Sequence, residues 1–410
     1  MHERIERCRI SGSTNLLTVL SLGDQAFTGI FPASLAEAVP SGPLELVWCP
    51  ESGLLQLAHS FDPALMYGEN YGYRSGLNGS MVRHLTDKAH LLTRLAGLGA
   101  GDLVVDIGSN DATLLRAYEM PGLAKLGIDP TGAKFRSYYP EDIRLVPDFF
   151  NRGNFTGAVG NRKAKLVTSI SMFYDLDDPV AFARDVHECL ADDGVWHLEQ
   201  SYMPSMLRTN AYDTVCHEHI SYYSLSAVER ILDASEFEIA DVSLNAVNGG
   251  SFAVSARKTG KAKARPNPVV VWLLTEERRM GLHTPRPYRD FEERVFLHRE
   301  RLVELVRALV ADGKKVFGYG ASTKGNVVLQ FCGFTPDDIE CVAEVNPDKF
   351  GHFTPGTGIP IVPEAEARAR KPDYFLVLPW HFRSGILERE AEFLAGGGHF
   401  IFPMPEIEVV

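Results

Sequence analysis

A chain of 410 residues with 45% hydrophobic and 23% charged residues has the composition of a globular protein of two or three domains. Its formal net charge of −12 argues against nucleic acid as the main partner, because phosphate binding needs a basic surface. No run of about 18 apolar residues predicts a membrane span, the charged start MHERIERCRI lacks the apolar core of a signal peptide, and six scattered cysteines form no disulfide framework, so a cytoplasmic protein with reduced thiols is expected.

Residues 1–83 are rich in strands and turns, as in LLTVLSLGDQ, LELVWCP and SGLLQLAHS. They read as a small N-terminal domain. GENYGYRSGLNGSM bridges this domain to the second. Aromatics beside Gly and Arg suit a lid over a ligand, with Tyr71 and Tyr73 as its reactive side chains; the alternative is a packed linker in which both are simply buried.

Residues 84–258 alternate helix and strand. DLVVDIGSNDATLL is an apolar strand, a Gly/Ser/Asn turn and a helix start, an arrangement that lets a ligand approach the backbone. The next strand, AKLGID, ends in Asp129, roughly 20 residues beyond Asp106, where an acidic residue commonly holds a ribose. The alternative is that Asp106 and Asp129 only cap their turns. KLVTSISM, PVAFARDVHECLA, DDG and VWHLEQ continue the alternation, and FEIADVSLN and SFAVSARK are joined by a tight turn at Asn248, Gly249 and Gly250. So short a turn makes the last two strands antiparallel neighbours. The glycines do not spell G-x-G-x-x-G. A parallel α/β sheet closed by an antiparallel hairpin resembles the class I S-adenosylmethionine (SAM) methyltransferase fold.

Between these elements lies YDTVCHEHISYYS, residues 212–224. Two histidines around a glutamate have no use in a buried strand unless they are paired. The choice is between an acid–base cluster and a polar surface loop. If the segment is extended, His217 and His219 share a face and Glu218 points away.

Residues 259–410 begin with a polar stretch, RKTGKAKARPNP at the join, and a long amphipathic helix through Phe296, Leu302, Leu305 and Leu309. KKVFGYGASTKGNVVLQFCG is then strand, Gly-rich turn and helix, able to cradle phosphates. IECVAEVNP, DYFLVLPW and HFIFPMP supply further strands of a second Rossmann-like domain. It is expected to lack both an acidic-ended turn and a terminal hairpin.

The chain resembles the nucleotide-sugar C-methyltransferases that add a branch methyl at C-3 of a 4-keto-deoxysugar. The resemblance spans nearly the whole length, through GENYGYRSGLNGSM, VVDIGSND, GIDPTG, PDFF, HEHISYYS, NGGSFAVSARK, YGASTKGN, NPDKFGHFTPGTGIPI and LVLPWHF. It implies that Gly108, Asn110 and Asp129, with Asp106 ending the first strand, hold SAM. Asp148 and Phe149 would lie by the adenine, and Ser169 and Ser171 under the methionine. A nucleotide-diphosphate sugar would lie by Tyr319, Gly320, Ala321 and Lys324, with Trp380 and His381 near sugar or base. Lys324 reads otherwise as a solvated helix residue. No membrane partner is expected, and the oligomer is a monomer or homodimer.

The chemistry implied can be argued on its own terms. Sugar carbon is no nucleophile, but a C-4 ketone acidifies the C-3 hydrogen. A base must take that proton, and a donor must steady the enolate oxygen. Histidine titrates near neutrality, so His219 is the expected base, with Glu218 orienting it or binding sugar hydroxyls. Tyr222, Tyr223, Tyr71 and Tyr73 are candidate donors, and His217 is either a second active-site group or a surface residue. The sequence departs from the family pattern in having Cys216 where a tyrosine and Asp175 where a histidine are expected. It also departs in the N-terminal C-x-x-C…C-x-x-C zinc site, where Cys8 and Cys49 remain but Ser11 and Ser52 stand for the other two. Serine is a poor zinc ligand; His2 is the one substitute in view, and no bound metal is expected. The competing functions are an NAD(P)-dependent oxidoreductase using FGYGASTKGN, and a non-catalytic protein that binds SAM or nucleotide sugar.

Overall fold

The computed structural model describes residues 2–62, Met66, 73–260 and 267–410. Tyr71 lies outside these residues. Three sheets carry the architecture. The first has strands β2 (Leu17–Ala26), β3 (Ser41–Trp48) and β4 (Leu55–Leu57), all antiparallel, with β1 (His2–Arg4) pairing β5 (His59–Phe61) beside them. Alternation in β3 turns Leu44, Leu46 and Trp48 inward. Trp48 stacks on Tyr288 with centroids 4.9 Å apart. Tyr288 belongs to the long helix Arg286–Ala311, so the first sheet shares one apolar core with the third.

The second sheet follows β6 (Leu103–Ile107), β7 (Ala124–Ile128), β8 (Ile143–Val146), β9 (Ala164–Ile170), β10 (Leu190–Ser201), β12 (Phe237–Asn245) and β13 (Ser251–Lys258). Their spatial order is β12-β13-β10-β9-β6-β7-β8. Only β13 runs antiparallel to its neighbours, as the tight turn implied. That turn needs positive φ at Asn248, Gly249 and Gly250 in succession, and a side chain at Gly250 would also strike Ser205. Strand β6 is an unbroken apolar run apart from Asp106, as expected of a strand covered on both faces. One strand is out of sequence: β11 (Ser221–Tyr222), from the middle of the chain, pairs with β4 and completes the first sheet. The helix Pro268–Arg279 packs on β12 and on the helix Leu225–Ala234, whose first N–H groups are accepted by the buried Glu277 carboxylate at 2.6 and 2.9 Å.

The third sheet holds β14 (Val316–Tyr319), β15 (Val342–Glu344), β16 (Ile361–Pro363), β17 (Tyr374–Val377), β18 (His399–Phe402) and β19 (Glu408–Val409) in the order β16-β15-β14-β17-β18-β19. The first five are parallel; β19 is antiparallel to β18. The expected absence of a closing antiparallel pair is thereby corrected, and so is that of an acidic-ended strand. β14 does end in Tyr319, but β15 ends in Glu344. Among the described residues no helix is long and apolar enough to cross a membrane.

Candidate active site

The turn after β6 holds three residues in left-handed conformation, Gly108 (φ 74°), Asn110 (49°) and Ala112 (61°). A side chain at Gly108 would meet Met172 at 3.0 Å. Asp129, 5% exposed, ties this turn to the next strand. Its Oδ2 accepts from Asn110 N at 2.7 Å, and its Oδ1 accepts from Thr131 N and Oγ1, both at 2.6 Å. Asp106 is buried beneath them and accepts from Thr168 Oγ1 at 2.6 Å. Burial, with Asp129 nearby, pushes its carboxyl up to about 7 against the pull of Thr168.

Asn110 is spent on the chain itself. Its Oδ1 accepts from Ser75 N (2.9 Å) and its Nδ2 donates to Tyr73 O (3.1 Å), while Asp111 Oδ2 accepts from Gly76 N (3.0 Å). These bonds fasten residues 73–76 over the turn, with Arg74 above the Tyr138 ring at 4.3 Å. Tyr73 itself is 48% exposed and faces a large cavity, which speaks against the buried-linker alternative for this residue. Asp148 and Phe149 sit on an exposed rim, Asp148 accepting from Phe149 N at 2.7 Å. Ser169 is fully buried and accepts from Trp196 Nε1 at 3.1 Å, so its hydroxyl is spent inside the sheet layer. Ser171, at φ 54°, is only partly buried and donates its N–H to Glu199 O at 2.7 Å.

Residues 212–224 are no surface loop. All but Glu218 and His219 are buried. Nor is the segment extended before β11: His219 N donates to Cys216 O, and the turn sends the two imidazoles apart. His217, 1% exposed, lies between Phe27 and Phe61 (centroids 4.6 and 4.8 Å) with Nε2 on Gly42 O at 3.1 Å. The surface alternative is corrected: this ring packs the first sheet and also lines the large cavity, so the second active-site alternative stands. Burial takes it down to about 4. His219 lies against Tyr174 at 4.3 Å, with Nδ1 3.1 Å from Thr214 O. Burial first, and then the Lys324 charge, bring it down to about 3. A carbonyl can only accept, so Nδ1 carries the hydrogen and Nε2 carries the lone pair. Thr214 O, not Glu218, holds the ring. Tyr222 OH also reaches Thr214 O (3.4 Å), and Tyr223 packs on Phe173; both are buried. Glu218 lines the cavity beside Gly29, and burial raises its carboxyl.

That cavity, about 1140 Å³, lies where the three sheets meet. Its walls include Phe27–Phe31 of the first sheet, Tyr73–Arg74 and Lys134 of the second, and Tyr319–Thr323, Glu344, Lys349, His381 and Arg389 of the third. Of the residues expected around the substrate, Gly320 (φ 77°) makes the turn after β14, where a side chain would strike Pro379. Ala321 N donates to Glu344 Oε2 at 2.8 Å. Ser322 caps the helix Thr323–Cys332. Tyr319 lines the wall, but its hydroxyl donates to Glu390 Oε1 (2.8 Å) within a network with Arg368 and Arg389. Lys324 is partly buried, and its Nζ donates to Asn248 O of the central hairpin at 3.2 Å. Trp380 is 8% exposed and donates to Asp213 Oδ2 at 2.7 Å, joining the third sheet to the segment before the histidines rather than standing open. His381 lines the cavity, brought down to about 3 by burial and Lys324.

Four groups escaped the sequence reading. Glu344 accepts from Ala321, Val345 and Asn346 N–H groups, as Asp129 does from its own turn. Its strand-ending position was a usable signal. Lys349 donates to Ala321 O (2.7 Å) and stands 4.3 Å over Phe31. Asp213 and the Thr214 carbonyl carried no signal, since their role depends on contacts distant in sequence.

In the first sheet Cys8 Sγ lies 3.1 Å from Ser52 Oγ, and Cys49 Sγ 3.5 Å from Ser11 Oγ. Burial pushes the Cys8 thiol up, and hydrogen bonds from Ser11 and Ser52 more than offset it. His2 packs on His59 and Phe61 instead. Among the described residues no three metal-ligating side chains converge. Two thiols with two hydroxyls do not fit a closed tetrahedral zinc site.

Family models match in chain order: a zinc binding domain at residues 8–67, a methyltransferase domain at 81–242 and a C-methyltransferase C-terminal domain at 246–405. The C-methyltransferase NovU of Streptomyces niveus is 33% identical over 414 aligned positions, 99% of this chain and 97% of its own. The chain belongs to this family of C-methyltransferases. It is a SAM-dependent methyltransferase, which sets aside the oxidoreductase reading. Among solved structures, a didemethyltoxoflavin N1-methyltransferase of Burkholderia thailandensis with bound S-adenosylhomocysteine (SAH) is similar at 15% identity (TM-score 0.35, 45% of this chain, 83% of that one). A SAM-dependent methyltransferase of Clostridium acetobutylicum is similar at 14% identity (TM-score 0.33, 44% and 92%).

Proposed function

We propose that the enzyme methylates C-3 of a nucleotide-linked 4-keto-deoxysugar through an enolate, with His219 as base. The observation that carries this is the His219–Thr214 contact, which leaves Nε2 as a neutral proton acceptor next in sequence to Glu218 of the cavity wall. SAM supplies an electrophilic methyl. The residues suited to hold it are the Gly108–Asn110 turn, with Asp129 for the ribose hydroxyls and the buried Asp106 near the cationic amino acid end. In this reading Nε2 takes the C-3 proton, the C–H electron pair becomes the C-3–C-4 double bond, and negative charge gathers on O-4. Tyr73, half exposed on the cavity wall, is the hydroxyl best placed to donate to that oxygen; the Tyr222 hydroxyl is buried at Thr214. The sugar's nucleotide diphosphate is assigned to the third-sheet wall, where Ser322, Thr323, Lys349 and Arg389 line the cavity. The chain divides for this purpose into domains 1–83, 84–258 and 259–410, and works in the cytoplasm, where its six free cysteines stay reduced.

A second reading makes Glu218 the base, because burial raises its carboxyl and it lines the cavity itself. One experiment tests both. His219→Ala and Glu218→Gln are assayed on dTDP-, GDP- and UDP-linked 4-keto-6-deoxyhexoses for methyl transfer and for exchange of the C-3 hydrogen in deuterated water. His219→Ala should lower turnover at least about 10²-fold with SAH affinity kept. Loss only in Glu218→Gln would transfer the role, and no turnover by wild type on any keto sugar would refute the substrate class.

A further inference from the structure

The 212–214 turn is gripped from the third sheet on both sides. Tyr212 OH lies 3.2 Å from His298 Nδ1, and His298 Nε2 lies 2.5 Å from Pro403 O. Trp380 Nε1 donates to Asp213 Oδ2 at 2.7 Å. Asp213 is 1% exposed, and among the described residues its other oxygen has no side-chain partner, so the Lys324 charge and the indole N–H are the main stabilisers of a buried carboxyl. The Trp380 ring also abuts Gly249, where a side chain carbon would come within 3.3 Å. One residue beyond Asp213, the Thr214 carbonyl sets the His219 ring.

We propose that Trp380 and Asp213 are positioning residues that couple the seating of the third, substrate-binding layer to the orientation of the His219 imidazole. The indole fixes Asp213, Asp213 fixes the turn, and the turn's Thr214 carbonyl selects the tautomer that presents the Nε2 lone pair. Proton abstraction is thereby competent only when the layer that carries the nucleotide is docked. This rests on His219 being the base.

The test compares Trp380→Phe, which keeps the ring and removes the N–H, with His219→Ala and wild type. The probe is whichever of the dTDP-, GDP- or UDP-linked 4-keto-6-deoxyhexoses wild type turns over. Trp380→Phe should lose about 10- to 10²-fold in kcat and in C-3 hydrogen exchange, the scale of a mispositioned group. KM for the sugar and the Kd for SAH should stay within about twofold. The acid limb of kcat should shift as the Thr214 hold on the ring weakens. Asp213→Asn, which keeps an acceptor for the indole, should retain most of the exchange rate and serves if Trp380→Phe does not fold. Wild-type exchange in Trp380→Phe, or a loss seen as a raised KM with kcat and the pH profile unmoved, would overturn the coupling. If His219→Ala exchanged normally, the base assignment would have failed first, and the coupling with it.

Discussion

His219 Nδ1 stands 3.1 Å from the carbonyl oxygen of Thr214, five residues earlier in the same segment. The contact fixes which nitrogen can accept a proton, and burial keeps the ring neutral far below the usual histidine range. A base must be unprotonated, so activity falls as pH drops through its pKa. With His219 at about 3, kcat/KM should stay level from about pH 8 down to about 5.5. A limb near 6.5, the unperturbed value, would mean that burial and the Lys324 charge do not hold the ring neutral.

Asp129 joins two backbone turns and is the acidic group proposed for the ribose. Asp129→Ala removes charge-assisted bonds of about 1.5–3 kcal/mol each. SAH affinity by calorimetry should therefore fall at least about tenfold. Thr131→Val removes one donor to the same carboxylate and should do less. Unchanged SAH binding in Asp129→Ala, with the protein still folded, would remove this residue from the cofactor site.

Much of the frame was legible because its signals are local. Alternating strands, the turn at Gly108 and the Asn-Gly-Gly hairpin each state their geometry within a few residues. The polar cluster at 217–219 was legible as chemistry but not as geometry. Its extended reading failed because β11 leaves the second sheet to pair with β4, which buries His217 among Phe27 and Phe61. Trp380 and Lys324 were misplaced for a related reason. Both looked like residues of the third layer's own site, yet both reach across to the second, to Asp213 and Asn248. Contacts between layers leave no period in the sequence.

The Cys8–Ser52 and Cys49–Ser11 pairs lie in the span that matches a zinc binding domain, with hydroxyls at two of the four positions where the sequence resemblance leads one to expect thiolates. Wild type should carry less than about 0.1 zinc per chain by elemental analysis, since hydroxyls replace half the ligand set. The double substitution Ser11→Cys and Ser52→Cys should bind about one zinc and raise Tm in its presence, because metal that binds only the folded state stabilises it. One equivalent of zinc in wild type would show that the serines, or a group not in contact with them, complete the site.

Acid should destabilise the fold well above the carboxylate range. His197 (2% exposed) and His217 (1% exposed) are brought down by burial to about 3 and about 4. Unfolded, each titrates near 6.5. Between about pH 6.5 and about 4 the unfolded chain therefore binds more protons than the folded one, and stability falls with falling pH. The slope approaches about 1.4 kcal/mol per pH unit for each buried ring. His219 and His381, both at about 3, act in the same direction. Asp106 acts against them: raised to about 7, it keeps a proton that the unfolded chain has lost above about 4, so it stabilises as pH falls through 7. Asp213, Glu218, Glu229 and Glu364, raised by burial, act with Asp106, while His59, His187 and His298, lowered by burial, add to the four rings. Urea unfolding at pH 7, 6 and 5 should show a steady loss, and His217→Gln, which keeps a donor for Gly42 O, should have the shallower slope. Stability unchanged from pH 7 to 5, or an equal slope in the variant, would show that these rings take up protons in the folded protein after all.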